Sequence, residues 1–384
     1  MIEPVELTKR LVGIKSCNPG EYEGGIGDFI FDRLNTLGLP VRRQQALPGR
    51  YNLIAEIKGK TELPPLVILC HMDTVVVGDG WTKAPFAAEE KDGRIYGRGA
   101  CDMKSGLACA LSVLEELWQR GLSPERTIYF MATVDEEAEM SGIQALIREN
   151  FIPDDCLLLD LEPTSLAVAS SHKGRLWYHV RVGGITAHAS TPWKGADAIA
   201  AASEFIAKVR GDIYKLPAHP DMGASTVTFG MINGGYQPYV VPDSCVFTMD
   251  VRTASPYSSK DIEALMLEAK KEAEAELPGV QITWEKTGDR PCVSGDRASP
   301  LCMAIEASFR ELYGQEAHTA LFPGYTDTAV ASAALNNPKL VSFGPGALDM
   351  AHKPDEYVET DEIVRCKNIL ERAINKLCFT KPGS

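Results

Sequence analysis

Two kinds of β-strand are written into this sequence, and they occupy separate stretches of it. Leu66–Cys70, Thr127–Val134, Cys156–Leu161 and Leu340–Phe343 are short, nearly unbroken apolar runs, the mark of strands covered on both faces. Leu176–Val182 alternates instead, with Leu176, Tyr178, Val180 and Val182 on one face, as in a sheet that packs a core on one side and meets water on the other. One sheet does not satisfy both patterns. Because the solid runs lie on both sides of the alternating stretch, the sequence predicts one domain interrupted by another.

Helical spacing fills the gaps. Leu7–Ile14, Asp28–Leu37, Met103–Arg120 and Ser141–Asn150 read as helices, the third with Leu107, Leu111, Leu114 and Trp118 on one face. Strands alternating with helices predict an α/β catalytic domain with a mostly parallel sheet over residues 1–174 and 288–384, completed by helices Pro300–Tyr313 and Asp361–Leu377. Residues 175–287 read as β-α-β-β-α-β. The elements are strand Leu176–Val182, helix Ala196–Val209, strands Thr226–Ile232 and Cys245–Thr253, helix Lys260–Leu277 and strand Val280–Glu285. That order predicts an inserted α+β domain of ferredoxin-like type.

Composition removes several function classes. With 39 basic and 52 acidic residues the formal charge is −13, which argues against nucleic-acid or anionic-membrane binding. No apolar run reaches the length of a membrane helix. The start, MIEPVELTKRLVGIKSC, has early acids and helical spacing rather than the basic and then solidly apolar pattern of a signal peptide. Ten cysteines without a CxxC pair fit a reducing cytoplasm better than a disulfide framework or a thiolate zinc site.

Chemistry is expected where the buried strands end. Leu66–Cys70 delivers His71 and Asp73; Thr127–Val134 delivers Asp135, Glu136 and Glu137; Cys156–Leu161 delivers Glu162; Leu340–Phe343 leads to His352. Asp102 sits just before a helix, where by itself it also fits an N-cap. Ligands bind open α/β sheets at the carboxyl ends of the strands, and charges there are costly unless paired or metal-bound. Two histidines, several carboxylates and no thiolate suit zinc, or else cobalt or manganese. The donor surplus is enough for two ions with a bridging carboxylate. His71 and Asp73 face the same way in an extended segment, so Asp73 is placed to orient the ring. Glu136 and Glu137 face opposite ways, one toward metal and the other toward a water.

The motifs HMDTV (71–75), GRGACDMKSG (97–106), DEE (135–137), EPT (162–164) and AHKPDE (351–356) occur in that order, with GGITAHASTP (183–192), INGG (232–235), VVPD (240–243) and DVR (250–252) in the middle. In this the chain resembles the M20 metallopeptidases, the dinuclear zinc deacylases and exopeptidases related to acetylornithine deacetylase, succinyl-diaminopimelate desuccinylase, aminoacylase-1 and glutamate carboxypeptidase. The resemblance implies that Asp102 bridges two Zn²⁺ ions, that His71 and Glu162 complete one site and Glu137 and His352 the other, and that Asp73 orients His71. It makes Glu136 the general base toward the bridging water. It implies that His188 contacts substrate or the oxyanion, arriving from the partner subunit in dimeric members, and that Arg252 binds the substrate carboxylate. A sheet-face salt bridge from Arg252 to Asp250 is the plainer reading of that arginine.

The expected activity is cleavage of the amide bond of an N-acyl amino acid. The alternatives are a dipeptidase or carboxypeptidase acting on short peptides with a free carboxylate and, remotely, a silent binding or scaffold relative, which would show itself by a lost ligand or base. None is lost. Closure of the inserted domain onto the catalytic domain is expected; the resemblance allows either a homodimer paired through the inserted domain or a single-chain enzyme, and no sequence feature decides between them. Tyr239 stands where many deacylases place an asparagine, so a phenol replaces an amide near the substrate. That points away from a direct assignment to acetylornithine deacetylase or the desuccinylase.

Overall fold

A computed structural model of the chain describes residues 3–121 and 123–379. Among them the chain divides into two compact units. One holds the residues up to Ser171, with Gly295–Phe322 and those from Thr326 onward; the other holds His172–Ser294 with Pro323–Tyr325.

In the first unit helices α1 (Pro4–Val12) and α2 (Gly24–Thr36) precede a hairpin of β1 (Val41–Leu47) and β2 (Arg50–Ile57). Then follow β3 (Leu66–His71), α3 (Ser105–Gln119), β4 (Ile128–Thr133), α4 (Ser141–Arg148), β5 (Leu157–Asp160) and β6 (Val168–His172). After the inserted unit come α5 (Pro300–Tyr313), α6 (Asp327–Leu335), β7 (Leu340–Ser342) and α7 (Thr360–Phe379).

The sheet order is β1-β2-β4-β3-β5-β7-β6. Every residue of β3 is buried, as its unbroken apolar run requires. Leu66, Ile68 and Cys70 join the core that contains Leu107, Leu111 and Leu114 of α3, while Val67 and Leu69, pointing the other way, are fully buried as well.

The sheet is mixed rather than mostly parallel. Strands β4, β3, β5 and β7 run parallel, but β1–β2, β2–β4 and β7–β6 are antiparallel. The departure starts at the tight β1–β2 hairpin, which reverses the chain at Gly49 (φ +74°). The sequence hid this hairpin because β1, VRRQQAL, is a half-exposed edge strand with neither a solid nor an alternating pattern.

The second unit is an antiparallel sheet with the long strands Gly174–Gly183, Ser244–Thr253 and Gln281–Arg290. Ser244–Thr253 also pairs with two short pieces, Thr226–Thr228 and Ile232–Gly234, where a single strand Thr226–Ile232 is expected from sequence. Helices Ala198–Lys215 and Ser259–Glu276 cover one face. Leu176, Tyr178, Val180, Val182, Phe247 and Met249 pack there against Phe205, Val209, Ile262 and Met266. The helix starts are specified locally: Asp197 accepts from the N–H groups of Ile199 and Ala200, and Ser258 with Asp261 forms a capping box. Among the described residues no helix is long and apolar enough to cross a membrane, and the ten cysteines are free thiols.

Candidate metal centre

The parallel part of the sheet lines up three strand ends. β3 finishes at His71, β4 runs out into Asp135–Glu137, and β5 leads into Glu162. Asp102 comes from Ala100–Lys104, an irregular turn in front of α3. His352 lies beyond β7, with its backbone in the left-handed region (φ +65°), a conformation that a non-glycine residue rarely keeps without a local reason.

These residues form two overlapping trios, His71–Asp102–Glu162 and Asp102–Glu137–His352. Within each, the ligand atoms lie within 4.8 Å of one another. Asp102 belongs to both. Its Oδ1 is 3.0 Å from His71 Nε2 and its Oδ2 is 3.5 Å from His352 Nε2. His71 Nε2 lies 3.8 Å from Glu162 Oε1, and His352 Nε2 lies 3.0 Å from Glu137 Oε2. The first trio is buried, whereas His352 is at the rim, with its side chain 51% exposed.

Two backbone devices hold the cluster. His71 Nδ1 lies 2.9 Å from the main-chain oxygen of Asp73 but 3.8 Å from its carboxylate. The ring is therefore oriented mainly by a peptide carbonyl. The Asp73 carboxylate instead accepts from the backbone N–H groups of Glu136 (3.1 Å) and Glu137 (3.2 Å). Close approach matters too: a Cβ on Gly344 would come 2.2 Å from the Leu161 carbonyl and 2.5 Å from that of Glu162, so only glycine lets the loop after β7 lie against the segment carrying Glu162.

Negative charge dominates the electrostatics of the cluster. Among the described residues no lysine or arginine pairs with Asp102, Glu137 or Glu162; their ionic partners are His71 and His352. Burial raises the Glu162 carboxyl well above the usual range, aided by Asp102. Burial likewise raises Glu136, with His71 opposing and Asp327, Glu137 and Asp102 reinforcing. Asp102 is held below the normal range: burial opposes this, but hydrogen bonds from His352 and His71 prevail. The hydrogen bonds to Asp102 and Glu137 push His352 up to about 10. For His71, burial lowers the pKa, but Asp102, Glu162 and Glu136 outweigh it and the net shift is upward. A surplus of buried carboxylates partnered by imidazoles fits divalent cations, which would supply the balancing charge and displace the ring protons.

Several contributors carry no motif in the sequence. Asn18 donates to Asp73 Oδ2 (2.9 Å) and Asp135 Oδ1 (3.0 Å). Arg50 reaches Glu23 and Asp135. Asp160, two residues before Glu162, accepts from the Thr328 hydroxyl. Asp327, at the start of α6, is buried and pushed up to about 7 by that burial. Only CNPG (17–20) and the TDT of 326–328 carry polar turn and cap letters that could have drawn attention.

The remaining sequence candidates, His188 and Arg252, belong to the second unit. His188 Nδ1 accepts from the backbone N–H of Ser190 (3.1 Å), so the neutral ring carries its proton on Nε2 and presents a donor. Strand-like pairing with Val240 fixes its loop. Arg252 engages Asp250 through both Nε (2.8 Å) and Nη2 (3.0 Å), the salt bridge named above as the plainer reading. Tyr239 is 59% exposed, and its carbonyl accepts from Ala189 N–H.

Overlapping carboxylate–imidazole trios at the ends of parallel strands fit a metal-dependent hydrolase. The chain belongs to the peptidase family M20/M25/M40, whose profile matches residues 67–376. It is 30% identical to the acetylornithine deacetylase of Proteus mirabilis over 393 aligned residues, covering 98% of this chain and 97% of that one. It is 28% identical to a probable succinyl-diaminopimelate desuccinylase of Staphylococcus aureus, covering 97% and 96%. Among solved structures, the aminopeptidase PepT of Bacillus cereus superposes with a TM-score of 0.81 at 23% identity, over 97% of this chain and 98% of that one. A family metallo-carboxypeptidase of Sulfolobus solfataricus gives 0.76 at 17% identity, over 97% and 99%.

Proposed function

We propose that this protein cleaves the amide bond of N-acyl amino acids and holds two zinc ions, one on His71, Asp102 and Glu162 and one on Asp102, Glu137 and His352. The division of Asp102 carries the reading: its two oxygens face different histidines, as a carboxylate shared by two cations requires. Cobalt or manganese would suit the same donors. When bound, the ions supply Lewis-acid polarisation and an acidified water.

The side chains do the rest. Asp73 fixes the turn that aims Glu136. Glu136 takes a proton from the attacking water and returns it to the amide nitrogen as the C–N bond breaks, a service worth roughly 10²–10⁴-fold. His188 donates Nε2–H to the tetrahedral oxyanion. Arg252 shares its guanidinium between Asp250 and the substrate carboxylate.

The names of the curated relatives, a deacetylase and a desuccinylase, support an acyl group over a peptide. Tyr239 argues for an acyl amino acid other than theirs. The second unit is read as a ferredoxin-like lid and dimerisation domain of a cytoplasmic enzyme. Sedimentation tests the dimer.

Metal content and turnover, measured together, test the activity. Close to two ions per chain and metal-dependent release of the acyl group are expected, with Glu136→Gln lowering turnover by at least about 100-fold at unchanged metal content. Cleavage of dipeptides alone would move the substrate to the exopeptidase branch. Full turnover by the Glu136 variant would remove the assigned base.

A further inference from the structure

The turn that carries Asp102 is shaped by a carboxylate that belongs to neither trio. Glu356 is completely buried. Its Oε1 accepts from two consecutive backbone N–H groups, those of Cys101 (2.8 Å) and Asp102 (3.1 Å), while Oε2 pairs with Arg98. Arg98, 1% exposed, also donates to the Val77 carbonyl (3.0 Å) and lies over the Trp81 ring.

The turn needs such a holder. Asp102 (φ −118°, ψ 103°) and Met103 (φ −125°, ψ 34°) are non-helical although they stand directly before α3. The N-cap of α3 is Lys104, so Asp102 stands two residues outside the helix, and its N–H and that of Cys101 need an acceptor from elsewhere in the fold. α3 has no side-chain cap. Glu356 supplies that acceptor to both N–H groups and so anchors the bend from which the Asp102 carboxylate faces the histidines. Asp73 grips the N–H groups of Glu136 and Glu137 in the same way. Glu356 also stands four residues after His352, so one short segment carries a histidine of the rim trio and the grip on the shared aspartate.

We propose that Glu356, charge-balanced by Arg98, is a positioning residue that fixes the backbone of Asp102 so that one carboxylate serves both metal sites. This rests on the two-metal reading above. The competing view is that Arg98–Glu356 is a buried ion pair serving only the fold.

Removing one partner of a buried pair strands the other charge, so the test is made without either charge. Arg98→Met/Glu356→Gln keeps an amide oxygen able to accept from both N–H groups. Arg98→Met/Glu356→Met has similar volume and no such acceptor, and replacing a buried pair by apolar side chains generally leaves the fold intact. Zinc affinity is read by chelator competition, with melting curves as the control for folding. The methionine variant should bind zinc about 10–100-fold more weakly than the glutamine variant, the usual range for residues that orient ligands. Affinities within about threefold of each other would overturn the positioning role alone. A wild-type chain that takes up no zinc in the same titration would overturn the two-metal reading, and this inference with it.

Discussion

Asn18→Asp tests the support beneath Glu136 and Glu137 by changing a single polar group. The Asn18 amide is buried and donates to Asp73 at 2.9 Å and Asp135 at 3.0 Å. A carboxylate in its place would face two others at about 3 Å, each contact costing about 5–6 kcal/mol at an effective dielectric constant of 20. Taking up a proton at pH 7 costs an aspartate of ordinary pKa only about 4 kcal/mol, so the introduced carboxyl group folds protonated. Its one hydroxyl then serves one neighbour, and the other loses a charged hydrogen bond worth about 1.5–3 kcal/mol. The sum, about 5.5–7 kcal/mol at pH 7, approaches the whole stability of many domains. The folded pKa of the introduced group lies above its unfolded value, so the stability it contributes is present at low pH and is lost as pH rises. At pH 5 the protonation cost falls to about 1.5 kcal/mol. Urea unfolding of Asn18→Asp and Asn18→Ala at both pH values is the assay. The aspartate variant should recover by about 3 kcal/mol relative to the alanine variant between pH 7 and pH 5. A difference between the two variants that does not change with pH would refute the reasoning.

In protein stripped of cations, burial holds Asp73 up at about 6 and Asp327 and Glu356 at about 7, while hydrogen bonds to Asp102 and Glu137 hold His352 at about 10. All four lie above their unfolded values, so their contribution to stability is complete at low pH and is lost as pH climbs through each folded value. Chelator-treated protein should therefore lose urea resistance from about pH 6 to pH 8, below the range where Lys104, lowered by burial to about 8, acts in the opposite direction, and zinc should restore it; a gain without zinc over that interval would contradict the assignment. Gly344→Ala drives a Cβ into the Leu161 and Glu162 carbonyls; a loss of about 1–3 kcal/mol in stability and weaker zinc binding are expected, and normal zinc affinity would show that the Glu162 segment gives way freely. His188→Ala should lower kcat by about 10²–10³-fold if its Nε2–H meets the oxyanion, with KM little changed; an effect on KM alone would make it a binding residue instead.

What could be read from the sequence followed from local pattern. Helix Pro300–Tyr313 was legible to the residue because Pro at its first position and Ser299 as its cap are local signals. The solid run of β3 announced burial on both faces, and the five residues of the two trios were legible because each sits beside a strand end or in an ordered motif. β1 and α6 were not. The first is a half-exposed edge, and the second, DTAVASAAL, has no amphipathic stripe to mark it. Arg252 was readable in part: its place on the strand allowed both a substrate role and the salt bridge to Asp250, and the folded chain shows that bridge, made through two nitrogens.

By itself, then, the sequence determined which residues supply imidazole and carboxylate and which strands deliver them, because strand burial and strand-end chemistry are written within ten residues of each other. Only the tertiary structure decided how they are held. Asn18 lies 55 residues from Asp73 and 117 from Asp135, and Glu356 lies 254 residues from Asp102. Contacts across such separations are created when the sheet stacks its strand ends together, and no local pattern records them. The same folding gave each oxygen of Asp102 a different histidine, turning a residue that by type alone is a helix cap into the shared centre of the site.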